Sequence, residues 1–366
     1  MALTEKQCKL FKSTSPKGYD DIFDAKGLSL RCYAKTGKKT WLFQYSFNKK
    51  RNSMTFGSYP NDLTLVEART QRDIYLKSIV QGKDPKLKKR GHDVIKQQPP
   101  MRYDSEGETY TSIKNIIKSA KKRLLKMHFE SGVGHIGGNL SCIDVVIILF
   151  HKLISPKDKF ILSKGHSAGA LYVALWSIGI LKDSDLTTFH QDDTLLAGHP
   201  LPNKIKNISF ATGSLGHGLS LSAGIALSKK IKSIKGQVFC LTSDGEWQEG
   251  STWEALIFSC HHNLDNLTII VDHNNLQGFG STDDIASLSP LSKIINGFDL
   301  EVVTINGHSP EEILSSLKKK QNKCRMIILE TNKGNGVSFM ENKMEWHYLP
   351  INKDQYNKAI DEVDSV

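Results

Sequence analysis

Two oxygen-bearing side chains, each placed just beyond a short apolar run, open the case for chemistry in this 366-residue chain. The first run, Val238 to Thr242, leads into Ser243-Asp-Gly-Glu-Trp-Gln-Glu249, and the second, Leu267 to Val271, leads into Asp272-His-Asn-Asn-Leu-Gln277. Uninterrupted apolar runs of this length read as buried parallel strands. Between them, Ser251 and Glu254 read as a capping box that opens a helix through about His262, completing one βαβ unit. Asp244 and Asn274 then fall just past the C-terminal ends of their strands, where open parallel sheets bind ligands. A carboxylate, an amide oxygen and a nearby backbone carbonyl suit a hard, octahedral cation such as Mg²⁺, which completes its shell with phosphate oxygens and water. Gly245 has no side chain to hold a diphosphate away from the backbone.

Four histidines precede this unit, each in a glycine-rich loop before a helix-like segment: Gly134-His135-Ile-Gly-Gly138, Lys164-Gly-His166, Gly198-His199-Pro200 and Gly213-Ser-Leu-Gly-His217-Gly218. Downstream, Lys333-Gly-Asn-Gly336 and Glu345-Trp-His347 add a fifth. Neutral imidazoles, with an ordinary pKa of about 6.5, suit proton relay to and from hydroxyl groups.

The elements that must carry these residues occupy only the second part of the chain. Net charge marks the division: residues 1–100 hold 21 Lys plus Arg against 9 Asp plus Glu, whereas the remainder holds 28 against 29. Between the two lies a polar stretch with paired prolines, Pro99-Pro100, that reads as a linker over residues 86–109 and contains Met101, a candidate internal start. In the basic part, Trp41, Phe43, Tyr45 and Phe47 alternate with Leu42, Gln44 and Ser46, the period of a strand with one buried face. A turn at Asn48 to Arg51, a second strand from Asn52 to Phe56, and a helix capped by Thr64 and Glu67 and running to about Gln81 complete a small sheet plus one helix. Six cysteines without a Cys-x-x-Cys pair or a secretory apolar segment read as a reduced, cytoplasmic protein. Apolar runs such as Val145 to Phe150 fall short of the roughly 18 residues of a bilayer span, so no membrane segment is expected.

Leu3-Thr4, Gly27-Leu-Ser-Leu-Arg31, Lys39-Thr-Trp41, Phe56-Gly-Ser-Tyr-Pro60, Leu65-Val-Glu-Ala-Arg69 and Gly82-Lys-Asp-Pro85 together resemble the arm-DNA-binding domain of phage-type tyrosine recombinases (integrases), over residues 1–85. The catalytic domain of that family has no room in the rest of the chain, so the resemblance implies contact with DNA at most. The Asp244-Gly245 pair, the asparagine 30 residues on and the histidine loops resemble the diphosphate-binding domain of transketolases, especially the separate N-terminal subunits of split transketolases, within a domain placed at residues 110–366. Ser243 stands where the family's fingerprint has its first glycine, and His217 where many members have glutamine.

This second resemblance implies an α/β fold, a central parallel sheet flanked by helices, behind a small α+β domain. It implies that Asp244, Asn274 and the Leu276 carbonyl hold Mg²⁺, that His166, Gly213, Leu215, Gly245, Glu246 and Asn274 contact thiamine diphosphate, and that His135, His199 and His347 face the substrate. Glu249 and Glu254 match glutamates that meet a partner domain, Glu249 with a catalytic role. It further implies a separate subunit bearing the pyrimidine-binding domain, self-association into a heterotetramer, and transfer of a two-carbon ketol unit between sugars. Two other readings stay open from the residues: another thiamine-diphosphate enzyme, of the 2-oxoacid dehydrogenase α or deoxyxylulose-phosphate synthase kind, and an inert enzyme-like module in a DNA-binding fusion.

Overall fold

The computed structural model describes residues 3–48, 50–60, 64–80, 84, 113–202, 204–205 and 207–365. The chain divides into two compact units, Met1–Gln98 and Pro99–Val366. The expected linker at 86–109 and Met101 lie outside the described residues.

In the first unit, α1 (Glu5–Leu10) is opened by a capping box in which Thr4 and Gln7 satisfy each other's backbone. An antiparallel sheet follows, in the order β1 (Tyr19–Phe23), β2 (Leu28–Tyr33), β3 (Lys39–Phe47), β4 (Lys50–Tyr59), and then α2 (Leu65–Val80). The expected alternation holds on β3 from Phe43 to Ser46, where Phe43 and Tyr45 are buried and Gln44 and Ser46 exposed, but fails at Leu42, which is buried beside Trp41 where a bulge shifts the register between the two. Both strands of the expected hairpin run further than the sequence suggests, because Asn48 turns the chain tightly with a left-handed φ of 49°. The side chain of Glu67, half of the expected cap on α2, lies outside the described residues.

In the second unit, a five-stranded parallel sheet has the order β8-β9-β7-β6-β5, from β5 (Lys159–Leu162), β6 (Val238–Ser243), β7 (Leu267–His273), β8 (Glu301–Asn306) and β9 (Arg325–Glu330). Its central strands are buried on both faces, which is why they read as continuous apolar runs. Phe239, Leu241, Ile270, Ile327 and Leu329 point into a core shared with α3 (Ile113–Ser131), α4 (Ile136–Ile148), α5 (Ala168–Ser177) and α9 (Lys353–Ser365). Val238, Cys240, Ile269, Val271, Met326 and Ile328 point the other way, toward α6 (His217–Ile231) and α7 (Gly250–His261). Helix α8 (Pro310–Lys318) covers the end of the sheet beside β8.

Two expectations are corrected by the structure. The helix between β6 and β7 begins at Gly250 with Glu249 as its N-cap, and no Ser251–Glu254 box forms. The Ser251 hydroxyl donates instead to the Gly216 carbonyl at 3.1 Å, so a contact with the neighbouring loop displaces the local cap. Secondly, α4 and the π-helical turn that extends it to Leu153 form a stretch long and apolar enough to cross a bilayer, but it is 89% buried as the central helix of the larger core.

Near the end of α3, His128 is 1% exposed, donates from Nδ1 to the Val133 carbonyl at 3.3 Å and packs edge-on against Phe189. Burial pushes it down to about 4. A histidine lowered in the fold is protonated more readily in the unfolded chain, so its contribution is complete above about 6.5 and is lost as pH falls toward 4. Urea unfolding between these limits is expected to show stability falling with pH, and a His128→Leu variant is expected to flatten that slope; an unchanged slope would remove His128 as its source.

Candidate active site

The C-terminal ends of four neighbouring strands deliver the polar groups of the site. Past β5 comes Lys164, past β6 Asp244, past β7 Asn274 and past β9 Lys333. Asp244 is 6% exposed; its Oδ1 accepts from the Gly245 amide at 2.8 Å, and its Oδ2 from the amides of Asn274 (3.0 Å) and Asn275 (2.6 Å). Burial first, and Asp272 second, push its carboxyl up to about 6, the state of a carboxylate that a cation would stabilise. Asn274 donates from Nδ2 to Asp272 Oδ2 at 3.3 Å and accepts on Oδ1 from the Leu276 amide at 3.2 Å, so the orientation of its amide is set.

The donor set of Asp244, Asn274 and the Leu276 carbonyl is all oxygen. Such a set suits a hard cation that takes its further oxygens from phosphate and water. Residues so placed fit Mg²⁺ with a diphosphate. At Gly245, an added Cβ would meet protein atoms no closer than 3.4 Å, at Gln277, so packing within the chain does not require glycine there.

The histidine loops converge above these oxygens. His135 caps α4 in the left-handed region (φ 64°), and its ring centroid lies 5.0 Å from His347, 5.9 Å from His166 and 6.5 Å from His199. His166 and His347 are 5.4 Å apart. The turn bearing His347 is held against the α4 N-terminus by the His135 amide, which donates to the His347 carbonyl at 3.1 Å. Gly134 permits this contact, since a Cβ there would sit 2.2 Å from the Tyr348 carbonyl oxygen. Gly213, in a backbone with φ 129°, lies against His199, and Leu215 is half-buried on the same loop.

Burial lowers all four rings: His135 to about 4, His347 to about 3, His166 well below its ordinary value, and His199 in the same direction. They are neutral near pH 7, and Lys333 adds to the effect on His135, His166 and His347. Its Nζ donates to His347 Nδ1 at 3.0 Å, leaving the ring hydrogen on Nε2, and lies 3.5 Å from the Leu276 carbonyl. Burial, then Lys164, lowers Lys333 itself to about 8.

Several expected residues stand elsewhere. His217 is exposed at the start of α6, where its Nδ1 donates to the Leu215 carbonyl at 3.0 Å, and its ring does not join the cluster. Glu246 is fully buried: its carboxylate accepts from the Ser163 hydroxyl and from the amides of Gly216 (2.9 Å) and Ser243 (2.9 Å). It therefore fastens the Gly213–Gly216 loop to the Asp244 turn instead of presenting oxygens to a cofactor. Glu249 is exposed at the start of α7, beside Gly216, and Glu254, expected like it to meet a partner domain, is exposed one turn later.

Lys164, Asp272 and Lys333 were not selected from sequence. The rule that chose Asp244 and Asn274 also reaches Lys164 and Lys333, but it requires knowing that 159–162 and 325–330 are strands. Lys164 and Asp272 form an ion pair at 1% and 0% side-chain exposure. Burial opposes the charge of each, yet each holds the other ionised, with the lysine raised and the aspartate lowered.

Residues 114–363 match the family of the transketolase, thiamine diphosphate binding domain, and residues 3–92 match the Arm DNA-binding domain. Since the first match spans more than half of the chain, this protein belongs to the transketolase thiamine-diphosphate-binding family. It is 34% identical over 267 residues to an apulose-4-phosphate transketolase subunit of Actinobacillus succinogenes, covering 70% of this chain and 97% of that one. It is 36% identical over 262 residues to 6-deoxy-6-sulfo-D-fructose transketolase subunit SqwG of a Clostridium species, covering 68% and 94%. Among solved structures, transketolase from Campylobacter jejuni superposes with a TM-score of 0.65 at 27% identity, covering 70% of this chain but only 43% of that one. The chain thus spans nearly the whole of the two subunits and less than half of the solved transketolase.

Replacing Lys164 by Met leaves the Asp272 carboxylate buried without its cation, and is expected to destabilise the fold by roughly 3–5 kcal/mol. The double variant with Asp272→Leu is expected to recover part of that loss in urea unfolding. Equal stability of the single variant and the unaltered chain would show that the pair contributes nothing.

Proposed function

We propose that this chain is the diphosphate-binding subunit of a split transketolase, transferring a two-carbon ketol unit between sugar phosphates or related sugars with thiamine diphosphate and Mg²⁺. The observation that carries the reading is the grouping of His166, His199 and His347 around His135, joined to the Asp244–Asn274 loops through Lys333, which bonds His347 and lies 3.5 Å from the Leu276 carbonyl. Asp244, Asn274 and the Leu276 carbonyl would hold the cation; His166, Gly213, Leu215, Gly245 and Asn274 would hold the diphosphate and the ring system. Bound thiamine diphosphate supplies a nucleophilic carbanion and an electron sink for carbon–carbon cleavage. His135 and His199, neutral at pH 7, orient the sugar hydroxyls, accept protons from them and return them, while His347, whose Nδ1 is taken by Lys333, donates from Nε2 to a sugar oxygen. The relatives' names, a sugar 4-phosphate and a sulfonated deoxyketose, support a sugar with an anionic end as the substrate class.

A second subunit would supply the pyrimidine-binding half, the two kinds of chain assembling as a heterotetramer with sites between them. Two features support such a partner: the subunit relatives of matching length, and the outward face of α6 and α7. On α7, Ile257 and Phe258 are 56% and 38% exposed, and on α6 Gly224, which lines a groove with Lys157, Lys159 and Phe210, has nothing within 4 Å of an added Cβ. An exposed mid-helix glycine costs about 1 kcal/mol against alanine, a loss that close approach of another chain would offset. The N-termini of both helices border the Gly213–Gly216 and Asp244 loops, so a chain docked here reaches the site. Six free cysteines are consistent with a cytoplasmic setting.

Calorimetry on the chain mixed with its partner subunit is expected to show thiamine-diphosphate binding that requires Mg²⁺ and is abolished by Asp244→Ala, and ketose turnover by the mixture but not by the chain alone. Gly224→Arg is expected to raise the melting temperature of the isolated chain while preventing assembly. Turnover by the unaided chain would overturn the split site.

The match of residues 3–92 favours a second, independent activity, contact of the basic unit with DNA. Such binding would rest on phosphate contacts and weaken steeply with salt. Fluorescence anisotropy with a duplex is expected to detect it at low salt in the full chain and not in a chain lacking residues 1–98; equal signals from both would remove the unit from the function.

A further inference from the structure

One buried amide joins the two histidine loops. Asn139, on the second turn of α4, is 0% exposed, and its Nδ2 donates to the His135 carbonyl at 2.8 Å and to the His166 carbonyl at 3.3 Å. Its Oδ1 accepts from the Ala170 amide at 2.7 Å, satisfying one of the unpaired amides in the first turn of α5, the helix that follows His166. Three of the four bonds available to an asparagine amide are therefore made, and each ties one of the two segments. Gly169 leaves the space: a Cβ there would come within 3.0 Å of Asn139 Oδ1 and 2.8 Å of His128 Nε2.

The ordinary helix contact at this point is weak. The Asn139 amide reaches the His135 carbonyl at 3.3 Å, and His135, in the left-handed region, caps α4 without a side-chain bond. The side chain of Asn139 thus holds a residue that the helix itself holds poorly. Beside it the Gly138 carbonyl accepts from Lys164 Nζ (3.1 Å), Ser167 Oγ (3.0 Å) and Ser141 Oγ (2.9 Å); the first two hold α4 to the segment that carries His166 and the third lies within α4, but none is made to an atom of His135 or His166.

We infer that Asn139 is a positioning residue that sets the separation of His135 and His166, coupling the residue that faces the sugar to the one that holds the cofactor. Asparagine is required by donor count and reach. Aspartate offers no donor to two carbonyls, leucine keeps the shape without the bonds, and serine at this spacing reaches only the carbonyl four residues back on its own helix. The catalytic part of this inference rests on the transketolase reading; the geometric part does not.

The test uses the full-length chain with ¹³C-labelled histidines, observed by NMR at the ring Cε1–H groups. In Asn139→Leu the His135 and His166 signals are both expected to move, while His217, His261 and His262 stay. In Asn139→Ser the His135 signal is expected to return toward its original position and that of His166 to remain displaced. In the complex with the partner subunit, Asn139→Ser is expected to lose cofactor affinity and kcat by roughly tenfold to a hundredfold, with a smaller change in the sugar KM. A lowered melting temperature with both ring signals unmoved would reduce Asn139 to a structural stitch and overturn the inference; should the leucine variant not fold, the serine variant carries the same comparison. Displaced rings in a complex without transketolase activity would instead sink the functional reading and leave the geometry standing.

Discussion

The second unit is organised around one buried carboxylate. Asp272, at the end of β7, accepts from Lys164 past β5, Ser141 on α4, Thr331 past β9 and the Asn274 side chain two residues on. Four segments distant in sequence are thereby fixed at one point. The net energy of such a pair is small, because desolvation opposes its attraction, but its geometry leaves few alternatives. The orientation of the Asn274 amide follows from it: with Nδ2 committed to Asp272, Oδ1 is the atom left to face a cation. Lys164 reaches the same place only because the chain leaves β5 at Leu162 and turns at Gly165, where a Cβ would strike the Thr212 side chain at 2.4 Å.

Two lysines reinforce the neutrality that burial gives the imidazoles, Lys333 at His135, His166 and His347, and Lys164 at His166 and His347. Burial alone disfavours the charged rings, and the cations of Lys164 and Lys333 add repulsion from below. Four imidazoles, three of them centred within 6.5 Å of the His135 ring, can then stand together uncharged and without counter-ions. The Lys333 contact does more than repel: by donating to Nδ1 it sets the tautomer of His347, so this ring offers a donor at Nε2.

Much of this arrangement is legible in the residues before any coordinates. Asp244, Asn274 and the histidine loops stand out because strand ends and glycine-rich turns have local signatures. The supports do not. Asp272 looks like the last residue of an apolar strand, and its partners come from 108 and 131 residues away. Glu246, beside Gly245, looks like a ligand, yet Ser163 and Gly216 from other segments, with the Ser243 amide of its own turn, hold it inward. Ser251 has the spacing of a helix cap, and a loop carbonyl takes its hydroxyl. In the first unit β3 was readable from its alternation, whereas β1 and β2 were not: the former has only half-buried and exposed positions, and the latter is buried at Leu28, Ser29, Leu30 and Cys32, on both faces. Local pattern identifies residues whose role is set by their own element, and misses those whose role is set by what packs against them.

The carboxylates of the site also define what it lacks. A reaction that draws a proton from a nitrogen heterocycle needs an ionisable group that gains and loses that proton at the ring. Among the described residues the carboxylates near the imidazoles are all committed: Asp272 to Lys164, Glu246 to three donors, and Asp244 to three backbone amides and the cation set. Glu249 and Glu254 are free but face outward, beside the exposed Ile257 and Phe258. The free acids of this region therefore lie on the surface that another chain would cover, and the enclosed space holds neutral bases and fixed cations. Glu249 and Glu254 thus differ from the buried carboxylates in kind: with no donor among the described residues holding them inward, they keep both oxygens on the solvent side of α7.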